Sequence, residues 1–540
     1  MTTSPGGHDW VWWRDGVLYQ IYPRSFSDSN GDGIGDLRGI TGNLDYLQWL
    51  GVEGIWINPI TASPNDDWGY DVSDYCAVHP ELGTLDDLDD LIAEATERGI
   101  RVLLDLVPNH SSDQHSWFAD ALQSPTSSKR DYYVWADPAP DGGSPNNWVN
   151  TFNPGASAWT LDTVSGQYHL SQFLASQPDL NWWNDDVRDE FDRIFRFWYD
   201  RGVAGFRLDV CHAVVKDREL RDNPPTEADD HWYTRMYGQR FVYNTNRPEV
   251  HDVIRRWRAV ADSYADPRVL VGETYVLDSN AYAAYYGNDD ELNLAFNMIL
   301  LHARFDATEM RTAVESAEAL LPATAWPTWT GGNHDNHRWA TRWCNNEPAK
   351  IRAAMLMLMT LRGTPFLYYG DEIGMPDTDV PEPEILDPVG HMFGPRMGRD
   401  NERTPMHWNA ASGAGFSDPG VVPWLRYGDH EACNVAAQVD DPQSMLALTR
   451  RLIKLRRESD DLRRGAYTSI PTGDDTLAWA WRRGESTVVA MNFGAIPVTI
   501  DDVFGTVALS TDSGSTNREG HVIAGTITLS AHEAIVVVSQ

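Results

Sequence analysis

The sequence contains little cysteine: the 540 residues include only Cys76, Cys211, Cys344 and Cys433, which lie far apart and without CxxC spacing. Such a pattern argues against a disulfide scaffold and against a zinc site built on thiolates. We interpret the four as reduced, mostly packed thiols.

Long hydrophobic runs are also missing. No stretch approaches the roughly 18 uninterrupted apolar residues of a membrane-spanning helix, and the longest runs, such as AIVVVS near the end, have the length of a strand. The first residues, MTTSPGGHDWVWW, lack the basic segment, apolar run and small-residue cleavage site of a secretory signal. We therefore expect a cytoplasmic protein that does not insert into a membrane.

Basic residues are outnumbered, with 43 Lys and Arg against 79 Asp and Glu, which gives a formal net charge of −36. Such a charge repels nucleic acid and anionic lipid, and it does not concentrate acidic substrates near the surface. A neutral or cationic small molecule is the ligand class that fits best.

The chain does contain a regular alternation of helix-like and strand-like segments. LDDLDDLIAEATERGI precedes RVLLDLVPN, VRDEFDRIFRFWYDRG precedes VAGFRLDV, and EVHDVIRRWRAVADSYA precedes RVLVGET. This order predicts an α/β fold with a parallel sheet covered by helices. About eight such units in about 400 residues favour a closed (β/α)₈ TIM barrel over an open sheet.

Two loop-rich stretches and a late change of pattern divide the chain. The stretches near 109–180 and 375–425 are rich in Gly, Pro, Asn, Asp and Trp, as expected for long loops that carry function. From about residue 462, short alternating runs replace helices and predict an antiparallel β domain. The predicted organisation is a first barrel segment 1–108, an inserted loop-rich domain 109–180, a second barrel segment 181–461 and a C-terminal domain 462–540.

Charged and hydrogen-bonding residues stand at the ends of several apolar strands: Asp105 and His110, Arg207 and Asp209, Glu273, and His334 and Asp335. Taken singly, each could be a cap or a loop ligand. In a barrel, however, the carboxyl ends of all strands meet on one face, where active sites lie. Four such strand ends together predict one catalytic site.

The spacing of these groups indicates nucleophilic and acid–base chemistry. Arg207 and Asp209 lie two residues apart, so in a strand they point the same way, and we expect the guanidinium to lower the pKa of Asp209. Glu273 follows an apolar strand, where apolar surroundings and nearby carboxylates raise the pKa of a carboxyl and suit it as a general acid. A carboxylate nucleophile with a separate carboxylic acid is the equipment of a retaining glycosidase.

Three further residues fit a sugar-binding role beside this pair. Asp335 is a third carboxylate that would grip sugar hydroxyls. His110 and His334 could be core or loop histidines, but beside these carboxylates we interpret them as neutral imidazoles that donate hydrogen bonds to hydroxyls.

Four ordered motifs resemble the sequence blocks of the α-amylase family of glycoside hydrolases: DLVPNH (105–110), GFRLDV (205–210), VGET (271–274) and GGNHDN (331–336). The segments VLYQIYPRSFSDSNGDGIGDLRGI (17–40) and RDNERTPMHW (399–408) resemble its α-glucosidase and oligo-1,6-glucosidase branch. The resemblance runs from about residue 10 to 540. It implies a barrel domain A, a domain B inserted after the third strand and a β-sandwich domain C.

The resemblance also implies a role for each matching position. Asp209 corresponds to the nucleophile, Glu273 to the acid/base and Asp335 to the stabiliser of the transition state. The residues that would bind the terminal glucose are Tyr70 as a stacking platform, Asp71 as a clamp on the 4-hydroxyl, His110, Arg207 and His334 around the ring, and Arg399 beside the scissile bond. Phe173 resembles the aromatic lining of the entrance, although it could also pack beneath domain B.

Oxygen-bearing residues at alternate positions form a candidate cation loop. Asp28, Asn30, Asp32 and Asp36, with the carbonyl of Ile34, are hard ligands suited to Ca²⁺ or Mg²⁺. The twelfth position is Gly39 and not Glu, so the loop is not an EF-hand, and a solvated turn rich in Asp and Asn is the alternative. The branch that the chain resembles binds a structural metal here, and no organic cofactor is implied.

The segment after the nucleophile bears on the substrate. It reads Val-Cys-His at 210–212, where many endo-acting amylases carry a lysine and histidine that contact the next glucose, so long starch chains are disfavoured. In related glucosidases a valine at this position accompanies α-1,6 cleavage, but the following Cys-His is usual in neither linkage group. Maltose-type and isomaltose-type substrates both stay open. Glucosyl transfer and isomerisation of trehalose-type or sucrose-type disaccharides stay open as well, because water and a sugar hydroxyl compete for the same intermediate.

A non-catalytic binding protein is the remaining alternative. Some barrel proteins of this lineage are partners of membrane transporters. These partner proteins typically lack the acid or the nucleophile and carry a membrane anchor. This chain has the full set of carboxylates and no anchor. We therefore expect an enzyme that acts on small α-glucosides as a monomer or a homodimer.

Overall fold

Eight parallel strands form one sheet that closes on itself. They are β1 (Leu18–Ile21), β2 (Gly54–Ile57), β3 (Arg101–Leu106), β4 (Gly205–Leu208), β5 (Val269–Gly272), β6 (Leu294–Ala295), β7 (Thr328–Thr330) and β8 (Thr364–Tyr368). The hydrogen-bonded order is β6-β5-β4-β3-β2-β1-β8-β7, and a parallel bridge between Phe296 and Thr328 joins its two ends. The predicted (β/α)₈ barrel is confirmed.

The structure is a computed structural model that describes residues 10–473, 475–513 and 517–539. The first nine residues, on which much of the expectation about export rests, lie outside these ranges. Among the described helices, none combines the length and the apolar character needed to cross a lipid bilayer.

Amphipathic helices pack around the barrel. The longest are Leu85–Glu97, Asp185–Asp200, Val250–Asp262, Ala307–Leu320, Pro348–Thr360 and Met445–Glu458. In the helix Asp185–Asp200, the Asn184 side chain accepts a hydrogen bond from the Asp186 N–H, and Val187, Phe191, Ile194 and Trp198 are buried. This spacing of three or four residues places one apolar stripe against the sheet.

Shorter helical segments connect these elements. The α-helical ones are Trp12–Asp15, Pro23–Phe26, Leu37–Gly42, Leu44–Leu50, Ser116–Ala121, Trp232–Met236, Ser279–Ala284, Met298–His302, Trp339–Arg342, Pro388–Phe393, Val435–Gln438 and Asp460–Arg464. The 3₁₀ turns are Arg130–Tyr132, Cys211–Ala213, Asp371–Ile373, Glu382–Glu384 and Asp400–Glu402.

The long insertion lies between β3 and β4, over the carboxyl end of the barrel. Its strands Trp135–Ala136, Trp159–Leu161 and Tyr168–Leu170 form a small antiparallel sheet, which packs on a cluster that includes Trp148 and Leu170. A second hairpin, Thr61–Ala62 with Asp74–Val78, follows β2. Both segments help to build the walls of a cavity at that end of the barrel.

The C-terminal domain is a separate antiparallel β domain, as predicted, and its six strands enclose a hydrophobic core of their own. Its strands are β9 (Tyr467–Ile470), β10 (Ala478–Arg483), β11 (Thr487–Asn492), β12 (Val498–Ser510), β13 (Val522–Leu529) and β14 (Ala534–Val538), in the order β9-β10-β11-β14-β12-β13. Alternate residues of β10 face opposite sides: Ala478 and Ala480 lie in the domain's own core, and Trp479 and Trp481 join the main core. This alternation attaches the sheet to the barrel.

Candidate active site

The register of the barrel sheet sets the side chains of the site next to one another. Asp105 on β3 pairs with Arg207 on β4, and the last residue of β4, Leu208, pairs with the last residue of β5, Gly272. Asp209 and Glu273 therefore leave the sheet at the same level on neighbouring strands. The parallel register explains why residues 64 positions apart in the chain meet.

One guanidinium contacts three carboxyl groups at these strand ends. Nη1 of Arg207 donates to Oδ1 of Asp209 at 2.7 Å and to Oδ1 of Asp105 at 2.9 Å. Its Nη2 lies 2.7 Å from Oε2 of Glu273. Because Arg207 is only 1% exposed, it is a fixed point that brings the candidate nucleophile and the candidate acid/base together.

Burial controls the ionisation of the pair in the free pocket. Removal from water raises the pKa of Asp209 well above its usual range, and nearby carboxylates add to this while Arg207 opposes it. Burial likewise raises the pKa of Glu273, again against the effect of Arg207. Arg207 does lower the pKa of Asp209, as expected, but desolvation exceeds the attraction of this one guanidinium, so the net shift is upward.

Asp335 has the opposite electrostatic surroundings. Its Oδ1 accepts hydrogen bonds from Arg403 Nη2 at 2.9 Å and Arg399 Nη1 at 3.3 Å. Burial alone would raise the pKa of Asp335, but His334, Arg399 and Arg403 together hold it well below its usual range. Asp335 is thus ionised in the free pocket. Sequence reasoning missed Arg403, which lies in the matched RDNERTP segment.

Val210, directly after the candidate nucleophile, has a strained backbone. Its φ and ψ are 32° and 41°, in the left-handed region that β-branched residues rarely adopt. In this conformation its N–H donates to Oε2 of Glu273 at 3.0 Å. The strain is balanced by a contact that orients the candidate acid/base, as is common at functional sites.

Tyr70 and two histidines lie in one hydrogen-bonded layer. The Tyr70 hydroxyl donates to Oδ2 of Asp105 at 2.9 Å, and its ring stacks on His334 with centroids 5.2 Å apart. His110 donates from Nε2 to the Tyr70 carbonyl at 3.0 Å. Burial lowers the pKa of both histidines, which favours their neutral forms.

Two predicted sugar ligands lie behind the cavity wall and not in it. Tyr70, His110, Asp209, Glu273 and Asp335 line the cavity. Arg207 and His334 are 1% and 0% exposed and are covered by the carboxylates and by Tyr70. In the free pocket these two contact Asp209, Glu273 and Asp335, and their direct contact with a sugar stays a prediction.

The assignment of Asp71 as the sugar clamp is contradicted. Asp71 is fully buried away from the cavity, and its carboxylate accepts hydrogen bonds from Ser63 Oγ at 2.7 Å and Asp66 N–H at 2.8 Å. Asp67 lies in the cavity wall instead, 2.6 Å from Nη2 of Arg399. The turn after Asp67 points it toward Arg399. The motif NDDWGYD does not indicate which of these two side chains is directed into the cavity.

Arg399 closes the inner end of the cavity. Its guanidinium pairs with Asp67, with Asp335 and, at 2.6 Å, with Asp387 from the loop 375–425. Arg399 therefore lies beside Asp335, and its role at the scissile bond stays a prediction. Asp387 was not identified from the sequence, because a carboxylate in a long loop carries no periodic signal.

The cavity of about 1210 Å³ has an aromatic wall toward solvent. Phe173 and Phe152 lie on the side of the insertion, with ring centroids 5.4 Å apart. Phe173 lines the cavity and also packs 5.2 Å from His110, so its role at the entrance stays a prediction. The facing side comes from the segment 230–246 after β4, with Trp232, Tyr233 and Tyr237; sequence reasoning missed this segment, although its run WYTRMYGQRFVY is rich in aromatics.

The candidate cation loop is tightly folded around Asp28. Its Oδ1 accepts from the Gly31 N–H at 2.7 Å, and its Oδ2 accepts from the Gly33 N–H at 2.8 Å and from Ser417 at 2.6 Å. Gly33 has a φ of 90°, and a Cβ there would lie 2.2 Å from the Val422 carbonyl. Every ligand in the predicted set offers an oxygen, and Asn30 and Asp32 are exposed, but the three carboxylates do not form a compact ligand group within 4.8 Å, so the cation site stays a prediction.

Comparison with known proteins gives a consistent assignment. A model of the α-amylase catalytic domain family matches residues 20–465. A probable α-glucosidase of Rhizobium meliloti is 40% identical over 499 residues, 89% of each chain, and an oligo-1,6-glucosidase of Heyndrickxia coagulans is 37% identical over 91% of this chain and 93% of its own.

Solved structures of similar proteins lead to the same family. An α-glucosyl transfer enzyme superposes with a TM-score of 0.91 at 38% identity, covering 98% of this chain and 99% of its own. The trehalulose synthase of Pseudomonas mesoacidophila MX-45 superposes with a TM-score of 0.87 at 33% identity, covering 98% and 99%.

Proposed function

The chain belongs to the α-amylase catalytic domain family of glycoside hydrolases, and from that premise we propose that it is a retaining, exo-acting α-glucosidase. It removes terminal α-linked glucose from short oligosaccharides of the maltose or isomaltose type. The observation that carries the proposal is the pair Asp209 and Glu273, held on neighbouring strands by the single guanidinium of Arg207.

The two carboxyl groups supply a double displacement. Asp209 attacks the anomeric carbon while Glu273 protonates the leaving oxygen, which releases the rest of the substrate and forms a glucosyl ester on Asp209. Glu273 then removes a proton from water, which attacks the ester and regenerates Asp209. Asp335, ionised in the free pocket, stabilises the positive charge that develops on the sugar ring.

The closed end of the cavity supports removal of single terminal glucose units. Asp67 and Arg399 pair across it at 2.6 Å, and the stacked rings of Tyr70 and His334 support its floor. A pocket closed beyond the terminal sugar cannot accept the middle of a long chain. Charged partners there suit hydrogen bonds to the 4-hydroxyl and 6-hydroxyl of a terminal glucose.

The Asp67→Asn variant should lose about 10- to 100-fold in kcat/KM for a nitrophenyl α-glucoside, because a charged hydrogen bond contributes about 1.5–3 kcal/mol. The neighbouring Asp66→Asn is the matched control, since Asp66 is exposed, and it should keep the wild-type rate. Equal losses in the two variants would contradict the role given to Asp67.

The pH dependence of kcat/KM should be bell-shaped. Activity rises as Asp209 loses its proton and falls as Glu273 loses its own. Because burial raises the pKa of both groups above the usual values of 3.8 and 4.5, both limbs should lie at higher pH than for exposed carboxyls, and the limbs belong to the coupled pair. Initial rates at low substrate concentration measure this; a profile without an alkaline limb would contradict the role of Glu273.

Glucosyl transfer and disaccharide isomerisation are the second candidate function. Two observations favour it: the aromatic wall formed by Trp232, Tyr233 and Tyr237 can hold a second sugar beside the ester, and the chain resembles a transfer enzyme and a trehalulose synthase. Incubation with maltose, isomaltose, sucrose, trehalose and maltotriose, followed by chromatography, separates the two. Free glucose as the main product supports hydrolysis. A new disaccharide as the main product would support transfer or isomerisation instead.

We further propose a structural Ca²⁺ or Mg²⁺ in the loop of Asp28, Asn30, Asp32 and Asp36, with the Ile34 carbonyl. An ion there would hold the loop against residues 417–422, which Asp28 and Gly33 already contact. It takes no part in the chemical steps.

Addition of Ca²⁺ or Mg²⁺ to chelator-treated protein should raise its melting temperature. At 100 times Kd, ligand binding stabilises the folded state by about 2.7 kcal/mol. The Asp32→Ala variant, which removes an exposed ligand, should respond much less. An equal rise in the variant and the wild type would place the ion elsewhere.

The proposal also includes a cytoplasmic location and a monomeric or homodimeric state. Small α-glucosides are the only expected partners. The four cysteines are all free in the structure, which agrees with a reducing compartment. Light scattering of the purified protein measures the oligomeric state directly.

A further inference from the structure

Three side chains that the reaction does not use converge beside the active site. His337 lies two residues after Asp335, Asp377 lies in the loop after β8, and Glu402 ends the 3₁₀ turn Asp400–Glu402. Nδ1 of His337 lies 2.9 Å from Oδ2 of Asp377 and 3.3 Å from Oε2 of Glu402. In the part of the chain that the structure describes, this is the one such group whose ligand atoms all lie within 4.8 Å of one another.

Two atoms at the centre of this cluster, one on His337 and one on Glu402, are buried without a hydrogen bond. Glu402 is 1% exposed, and neither its Oε2 nor the Nδ1 of His337 makes a hydrogen bond of acceptable geometry. Asp377 is held from its other side, where Oδ1 accepts the Arg338 N–H at 2.8 Å, so Oδ2 remains directed at His337. A buried carboxylate that lacks hydrogen bonds is costly unless a cation compensates it.

We propose that His337, Asp377 and Glu402 form a Zn²⁺ site. One imidazole nitrogen and two carboxylate oxygens are common zinc ligands, with bonds of about 2.0–2.2 Å, and separations of 2.9 and 3.3 Å suit neighbouring ligands around one ion. The nitrogen ligand favours zinc over Ca²⁺ and Mg²⁺. Zinc takes the place of the proton on Nδ1, which is released to solvent, and water completes the coordination.

The site would join two segments of the cavity wall, which carry His337 and Glu402, to the loop that carries Asp377. Glu402 is followed directly by Arg403, which donates to Asp335 at 2.9 Å and to the His334 carbonyl at 2.7 Å. An ion bound by His337 and Glu402 would therefore brace the segment that carries Asp335 against the segment that carries Arg403. Its role is structural, and it does not touch the glucose.

Calorimetric titration of the full-length protein with ZnCl₂ tests the site. Saturating Ca²⁺ is present throughout, so that the Asp28 loop is not available to zinc. We expect one equivalent of zinc to bind, and His337→Asn and Asp377→Asn to weaken that binding at least about 10- to 100-fold. Asp377→Asn keeps an oxygen for the Arg338 N–H, which guards against loss of folding. His391→Asn, which removes an exposed histidine from a nearby helix, is the matched control and should bind as the wild type does.

Anomalous diffraction at the zinc edge locates the ion in crystals of the wild type. A peak between Nδ1 of His337 and the two carboxylates supports the proposal. It is overturned if the wild type does not bind zinc, since the cluster is then an imidazolium paired with two carboxylates. It is also overturned if folded His337→Asn and Asp377→Asn, with unchanged circular dichroism, bind zinc as tightly as the wild type.

Discussion

Replacement of Asp209 by alanine should lower kcat/KM for a nitrophenyl α-glucoside by about 10⁴-fold or more, because the variant cannot form the glucosyl ester. Glu273 and Asp335 remain, but neither can take over the attack, since each is held at its own strand end. Initial rates of nitrophenol release measure the loss. A rate close to that of the wild type would remove the basis of the proposed mechanism.

The same variant should not unfold. Burial raises the pKa of Asp209, which means that its charged form is costly in the free pocket, and its removal should leave the melting temperature unchanged or higher. The exposed Asp440→Ala is the control for loss of a carboxylate elsewhere, and it should retain full activity. A melting temperature well below that of Asp440→Ala would mean that the activity loss reflects misfolding.

Replacement of Glu273 by alanine should affect substrates according to their leaving group. For maltose or isomaltose the loss should be about 10²- to 10⁴-fold, the usual contribution of general acid–base catalysis. For a dinitrophenyl α-glucoside the release of the phenolate needs no proton, so the first step should be nearly intact and hydrolysis of the ester becomes limiting. The ratio of the two losses is measured in parallel assays.

Added azide should restore turnover of the dinitrophenyl substrate in Glu273→Ala, because the small anion can enter the space left by the carboxyl and attack the ester without a general base. The product should be the α-glucosyl azide, as retention requires. The exposed Glu97→Ala serves as the control and should show no azide effect. Equal losses on both substrates, with no response to azide, would contradict the assignment of Glu273 as acid/base.

The two variants also separate the roles within one coupled pair. Asp209 and Glu273 share Arg207 as a hydrogen-bond donor, so removing either changes the titration of the other. The pH profile alone therefore reports the pair. Only the dependence on the leaving group distinguishes the nucleophile from the acid.

Local patterns in the sequence were sufficient to predict the barrel and the convergence of Asp209, Glu273 and Arg207 at its carboxyl end. The apolar runs that end in Asp105, Arg207 and Glu273 are strands in the structure, and alternating helices and strands have few ways to pack other than around a parallel sheet. In such a barrel the strand ends meet on one face, so the position of a residue at the end of a strand predicts its place in the site.

Properties that depend on neighbours remote in sequence were beyond the same reasoning. The motif NDDWGYD contains three carboxylates. Only the folded path of the turn determines that Asp67 pairs with Arg399 and that Asp71 is buried with a hydrogen bond from Ser63. The direction of the pKa shift of Asp209 depends on how much water the surrounding loops exclude. The extent of that exclusion cannot be read from the spacing of residues within GFRLDV.

By itself, then, the sequence determined the fold class, the α-glucosidase branch of the family and the positions of Asp209, Glu273 and Asp335, because each depends on periodicity or on ordered motifs within a short segment. Only the tertiary structure decided that Asp67 and not Asp71 lines the cavity, that Arg207 and His334 lie behind its wall, and that His337, Asp377 and Glu402 converge. Those outcomes come from long loops that cross at the carboxyl end of the barrel, where the geometry depends on packing between segments and not on the order of residues within one.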